Sequence, residues 1–179
     1  MNTFISLKQL WYGNVLESAP TYDGMANLVS NMTEITNVHQ DTWSYEESDP
    51  EKTEYVNELS GQNYYVDWTK QSIPTIKFTL GEYQYEQKAA LQGGSVITTG
   101  SGNDVTTIGW KKPLTLDVVY KSIVALSKTG TYIVFPKAQI TAKGDVQEKN
   151  IGLGIEALCV ETGDPNIHPE YWFKLKPTT

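Results

Sequence analysis

Between Lys121 and Thr162 the chain reads KSIVALSKTGTYIVFPKAQITAKGDVQEKNIGLGIEALCVET, and the two-residue period of this stretch restricts the fold more than any other feature. Tyr132, Val134, Pro136, Ala138, Ile140, Ala142 and Val146 share one phase, and Lys137, Gln139, Thr141, Lys143 and Asp145 share the other. After a polar break at Asp145 to Asn150, Ile151, Leu153, Ile155, Ala157 and Cys159 alternate with Gly152, Gly154 and Glu156. Successive side chains of a strand point to opposite faces, so each segment predicts a strand with one dry face. Upstream, Ile123 to Ser127 joins this pair through Lys128-Thr129-Gly130, a connection of hairpin length with glycine where a positive φ is needed. Three antiparallel strands follow. Pro136 lacks an N–H and predicts an edge, a bulge or a change of sheet at that point.

The run T-Y-I-V-F-P-K-A at 131–138, followed after the polar turn by I-G-L-G-I at 151–155, resembles the C-terminal strands of bacteriophage tail tube (major tail) proteins. Trp11-Tyr12-Gly13, the segment Val38 to Glu47 (VHQDTWSYEE), Phe78 to Tyr83 (FTLGEY) and Ala90 to Gly94 (ALQGG) resemble tail-tube-like proteins of prophages in gut bacteria. The likeness covers nearly the whole chain and implies a single tail-tube-like domain over residues 1–179. It implies hexameric rings stacked head to tail, with sheets from six copies lining a channel through which DNA passes without specific binding. Tail initiator, terminator and tape-measure proteins are the partners it implies, and the virion tail, assembled in the bacterial host cytoplasm, is the location. A tube subunit of a phage-related secretion system has a similar fold and shares these expectations up to the cargo.

Along the rest of the chain, Met25, Leu28, Val29 and Met32 have helical spacing, and residues 1–32 are read either as containing a short helix or as an N-terminal arm packing on a neighbour. Thr33 to Tyr45 reads as one strand with His39, Asp41, Trp43 and Tyr45 in a single phase, ended by a Pro-containing acidic loop at Glu46 to Glu51. Thr53 to Leu59 and Asn63 to Trp68, around Ser60-Gly61-Gln62, predict a hairpin. Thr75 to Leu80 is a further strand, and Glu82 to Leu91, rich in good helix formers and bounded by Gly93-Gly94, is the one firm helix. Residues 92–109, dominated by Gly, Ser, Thr and Asn, read as a long loop. Residues 114–122 fit strand or helix, and Tyr171-Trp172-Phe173 fits a final edge strand. The fold class is therefore mainly β: an antiparallel β-sandwich or partly closed barrel with one flanking α-helix.

Charge narrows the function. The chain has 21 acidic residues against 14 basic ones, all lysine, for a net charge of −7. Tight recognition of nucleic acid relies on arginine forks and positive surface, so specific DNA or RNA binding is excluded as a role. Residues 1–60 hold ten acids against Lys8 and Lys52, whereas residues 61–179 hold eleven against twelve lysines. Either this is a solvated acidic surface, or the acidic loop near Glu46 to Glu58 faces lysines of a neighbouring copy. Loops Glu46 to Thr53 and Gln92 to Gly109 are the expected contacts between subunits.

No segment reads as a secretion signal, and no run approaches the roughly 20 apolar residues of a membrane span, so no membrane partner is expected. Chemistry-bearing residues are sparse. Cys159 sits on the dry phase as a buried thiol, and the two histidines, His39 and His168, lack metal-ligand spacing. Glu46-Glu47 and Asp49-Glu51 lack a calcium-loop pattern, and no lysine-serine or lysine-threonine pair follows the glycines to make a phosphate loop. No catalytic, metal or cofactor residues are assigned, and no enzyme activity is expected. Five Trp and eleven Tyr exceed what a small core needs. Subunit interfaces and sugar-stacking platforms both use such residues, so a carbohydrate-binding β-sandwich module is the alternative function.

Overall fold

The computed structural model describes residues 3–177. In chain order these form strand β1 (Leu7–Gly13), helix α1 (Met25–Ser30), β2 (Thr33–Glu34), β3 (Ser44–Glu47), β4 (Glu51–Val56), β5 (Asn63–Lys70), β6 (Pro74–Leu80), helix α2 (Tyr85–Gln92), β7 (Ser95–Thr99), β8 (Thr106–Lys111), β9 (Val119–Ser127), β10 (Thr131–Gln147), β11 (Asn150–Cys159) and β12 (Tyr171–Lys174). The protein is mainly β, as the alternation predicts. One antiparallel sheet runs β2-β1-β9-β10-β11-β6-β3 with β12 also paired to β10, while β4-β5 and β7-β8 form separate two-stranded ribbons.

The sheet curls over its main core without closing into a barrel. Leu10 from β1, Ile76, Phe78 and Leu80 from β6, Ile123 from β9, Phe135 and Ile140 from β10, and Leu153 and Ile155 from β11 meet there, with Leu91 of α2 inserted from the flank. The chain between β2 and β3 spans the gap. Ile35 N–H donates to Leu10 O (2.8 Å) on one edge, and His39 N–H donates to Thr79 O (2.8 Å) on the other. This is why Thr33 to Tyr45 is not the single strand its composition suggests. The chain must cross between two edges, so it turns at Asp41 (φ +61°), and the Thr42 hydroxyl donates to His39 O (2.7 Å) while accepting from Thr79 N–H (3.0 Å). His39, Asp41, Trp43 and Tyr45 therefore do not share a strand face.

The predicted C-terminal hairpins are present, with one correction. In β10 the dry phase serves two faces, because pairing with β9 shifts register between Phe135 and Ala138, around Pro136. Before this bulge Ile133 and Phe135 enter the main core, and Tyr132 and Val134 point the other way onto a second cluster with Trp11, Val124, Leu126 and Met25. After it, Ala138 and Ile140 take over the main-core face. At the same point the outer neighbour of β10 changes from β12, paired to 131–134, to β11, paired to 138–147.

The second cluster explains α1, the second helix beside the one the sequence makes firm. Met25 is buried beneath it, with Leu28, Val29 and Met32 packed around. Residues 1–32 are correspondingly not a free arm. β1 pairs along its length with β9, and Leu10, Trp11 and Tyr12 are buried. Residues 1–2 lie outside the described region. The other corrections are local. Residues 92–109 are not a loop but most of the β7-β8 ribbon, with Gly and Ser concentrated at its turn. The strand in 114–122 begins only at Val119. The loop at Glu46 to Glu51 shrinks to 48–50, between β3 and β4. The firm helix starts at Tyr85, where Gln84 N–H donates to Gln87 Oε1 (3.2 Å).

Gly152 lies hard against β6. A Cβ there would lie 2.6 Å from Leu80 O and 2.7 Å from Thr79 Cγ2. The missing side chain admits a neighbouring backbone rather than a ligand. Gly152→Ala is expected to cost about 1–3 kcal/mol through overpacking, read by chemical denaturation; an unchanged midpoint would show that the strands separate freely.

Candidate assembly surfaces

The β4-β5 ribbon is built from good strand formers, Thr53, Tyr55 and Val56 on one strand and Tyr64, Tyr65, Val66 and Trp68 on the other, with Tyr55 directly opposite Tyr65. Its tip is closed by Asn57, whose side-chain oxygen accepts from Leu59 N–H (2.8 Å) and whose carbonyl accepts from Gly61 N–H (2.8 Å). Cross-strand contacts hold the ribbon together: Tyr55 against Tyr65 (5.7 Å between ring centroids), Lys52 over Trp68 (5.8 Å), and an ion pair of Lys70 with Glu51 (3.1 Å). The side chain of Lys52 hydrogen-bonds Glu54 and keeps that carboxyl below its usual range. No face of this ribbon is dry. Among the described residues β4 and β5 make their substantial contacts only with each other, leaving Trp68 63%, Tyr64 70% and Leu59 98% exposed. A lone two-stranded ribbon is marginal in water, so one that spends its aromatic residues on solvent is suited to being covered.

The ribbon and its approach are acidic. Residues 46–70 carry Glu46, Glu47, Asp49, Glu51, Glu54, Glu58 and Asp67 against Lys52 and Lys70, a net of −5.

A later stretch of the chain, spread over β8, β9 and β10, has the opposite sign. Residues 105–149 carry seven lysines against Asp117, Asp145 and Glu148, a net of +4. Lys88 of α2 lies over the Trp110 ring (4.4 Å) and the Tyr83 ring (5.3 Å), and Trp110 Nε1–H donates to Gly93 O (2.9 Å), which fixes β8 on the helix. Beyond β8, the segment 112–118 presents Leu114 fully exposed and Leu116 91% exposed. The nearby β10-β11 tip exposes the cross-strand pair Val146 and Ile151. Of the contact loops expected from the sequence, Gln92 to Gly109 forms the end of α2 and most of the β7-β8 ribbon, and Glu46 to Thr53 lies at the root of the β4-β5 ribbon. Leu114 and Leu116 lie in the stretch that the sequence leaves open between strand and helix, and what sequence reasoning missed is that both stand in solvent before β9 begins at Val119.

The remaining polar groups are structural. Glu46 pairs with Lys77 (2.7 Å), Glu47 accepts from the Ser72 hydroxyl (2.6 Å), and Asp145 accepts from Gln147 Nε2 (2.7 Å) and Thr79 Oγ1 (2.8 Å). Those bonds, Gln147 first and Thr79 next, hold Asp145 below the usual carboxylate range. His39 and His168 meet no ligating partners, and among the described residues no three of His, Cys, Asp and Glu converge to hold a metal. Cys159 is buried, its thiol donates to Pro169 O (3.0 Å), and burial pushes its pKa up to about 12. Among the described residues no helix is long and apolar enough to cross a membrane.

Glu170 is a partly buried acid. Tyr45 Oη–H (3.1 Å) and Trp172 Nε1–H (2.6 Å) both donate to its Oε1, inside an aromatic seam in which Trp172 stands edge-on to Tyr45 and Phe4 stacks on Trp43. Burial raises its carboxyl above the ordinary value, with the Glu47 charge adding to the rise against those two hydrogen bonds. A raised folded-state value means that the folded protein holds this proton more tightly than the unfolded chain. Its contribution is therefore favourable at low pH and is lost as pH climbs from about 4.5 through the raised value. Glu170→Gln keeps an acceptor for both donors and removes the titration. The difference in melting temperature between variant and wild type should grow in favour of the variant across that window and then level off; a pH-independent difference would contradict it.

Neither protein-family models nor curated protein sequences match this chain. The functional reading therefore stands on the residues and surfaces described above.

Proposed function

We propose that this chain is the subunit of a self-assembling tube of the phage tail type, forming hexameric rings that stack head to tail around a conduit for DNA. The observation that carries the reading is the β4-β5 ribbon: an acidic, aromatic projection with no core of its own, on a chain whose later strands carry most of its lysines and expose Leu114 and Leu116. Two different, complementary patches on one chain make a heterologous contact, which closes into rings or propagates as a filament. The resemblance of the strands at 131–138 and 151–155 to tail tube proteins supplies the DNA cargo and the virion setting. The absence of arginine and the net charge of −7 suit a conduit that must not retain DNA, because phosphate contacts would slow transit. Initiator, terminator and tape-measure proteins would complete the tail, and a secretion-system tube would use the same subunit chemistry.

Sedimentation velocity over a concentration series tests the reading. Self-association is expected at low salt and should weaken near 1 M salt, where the Debye length falls to about 3 Å. Association indifferent to salt would remove charge from the mechanism. The exposure of Tyr64 and Trp68 also favours the carbohydrate-binding alternative, which predicts a monomer at every concentration with glycans held on those rings.

A further inference from the structure

We propose that residues 113–118 are a dormant extension of β9, a strap that closes onto the open edge of β10 once Asp117 releases the end of α2. The ladder between β9 and β10 ends at the pair Val119 and Ile140, yet β10 runs on to Gln147, paired there with β11. Among the described residues no strand pairs with the other edge of 141–147, and part of that edge lines a cleft of about 420 Å³ whose opposite wall is the 112–117 segment. An unpaired edge is a template for one more strand.

The segment has the sequence of such a strand. Leu114, Leu116 and Val118 alternate with Thr115 and Asp117, the period of a strand with one apolar face. All three apolar residues stand in solvent, Val118 being 51% exposed. Continuing the observed register sets Val118 opposite Thr141, Leu116 opposite Lys143 and Leu114 opposite Asp145. Pro113, with no N–H, then ends the ladder. Residues directly opposite share a face, and Thr141 and Lys143 lie on the face turned away from the core, as does Tyr120 opposite Gln139. Closure therefore draws Leu114, Leu116 and Val118 into one stripe with Tyr120 and covers the edge of β10.

Asp117 holds the strap open. Its Oδ2 accepts from Gly94 N–H (3.3 Å), and it sits so tightly on Gly93 that a Cβ there would lie 2.7 Å from Asp117 Cβ. In the continued register Asp117 would instead oppose Ala142, which packs against the main core, and its carboxylate would lose water. One side chain thus ties the open form and penalises the closed one. The device is internal to a single copy, so it holds or fails independently of self-assembly.

Asp117→Val tests it, because the substitution removes both the tie and the charge and supplies a good strand former at an exposed position. Hydrogen exchange read by mass spectrometry on dilute, monomeric protein should show the amides of 114–118 exchanging slower by about tenfold or more in the variant than in wild type. In the same background, Leu116→Cys with Lys143→Cys places two thiols directly opposite in the closed register, and mild oxidation should join them. Thr115→Cys with Lys143→Cys points the two side chains to opposite faces and should not couple. Unchanged exchange at 114–118, or equal coupling of the two pairs, would overturn the strap.

Discussion

Excising residues 51–70 and joining Pro50 to Gln71 through two glycines is expected to leave the fold intact and abolish self-association. Glu51 and Lys70 are cross-strand partners, so the ends left by the excision already lie side by side. The ribbon contributes none of the buried core residues, and at about 2–4 °C per kcal/mol for a domain of this size the melting temperature should move by only a few degrees. Thermal denaturation and light scattering on the same sample check both halves. An unfolded variant would mean that the ribbon belongs to the core, and undiminished association would mean that it is not the contact.

The opposite outcome is expected from Phe135→Ala. Phe135 is wholly buried in β10, next to the bulge that hands the main-core face from Ile133 and Phe135 to Ala138 and Ile140. Truncating a buried phenylalanine costs about 3–5 kcal/mol, through lost transfer energy and the cavity left behind. That corresponds to a melting temperature lower by about 10 °C. Tyr64→Ala, on the ribbon, should by contrast leave stability near wild type. Equal losses for the two variants would contradict the division between a curled sheet that carries stability and a ribbon that carries contacts.

That division also explains which parts of the architecture are legible in the sequence. β11 and the later half of β10 are readable because one phase is buried and burial imposes a two-residue period, while β9 and the start of β10, buried on both faces, show as short continuous apolar runs. β7 and β8 lack that signal. Val96 and Ile97 face Trp110 and Gly109 across a ribbon with little buried surface, so their Ser, Thr and Gly neighbours make the segment look like a loop. β2 and β3 are hidden for another reason: nothing in the composition of Thr33 to Tyr45 reveals that its ends pair with strands on two different edges of the sheet. The candidate surfaces were half legible. The acidity of residues 46–58 is plain in the sequence, but the exposure of Leu114 and Leu116 follows from the late start of β9 at Val119, a tertiary outcome.

The central claim is that this subunit builds rings and tubes from itself, and negative-stain electron microscopy of the purified protein at increasing concentration tests it most directly. The account predicts rings that give way to tubes with a regular axial repeat. Single particles of monomer size at every concentration, from a protein that binds glycans through the ribbon aromatics, would contradict it.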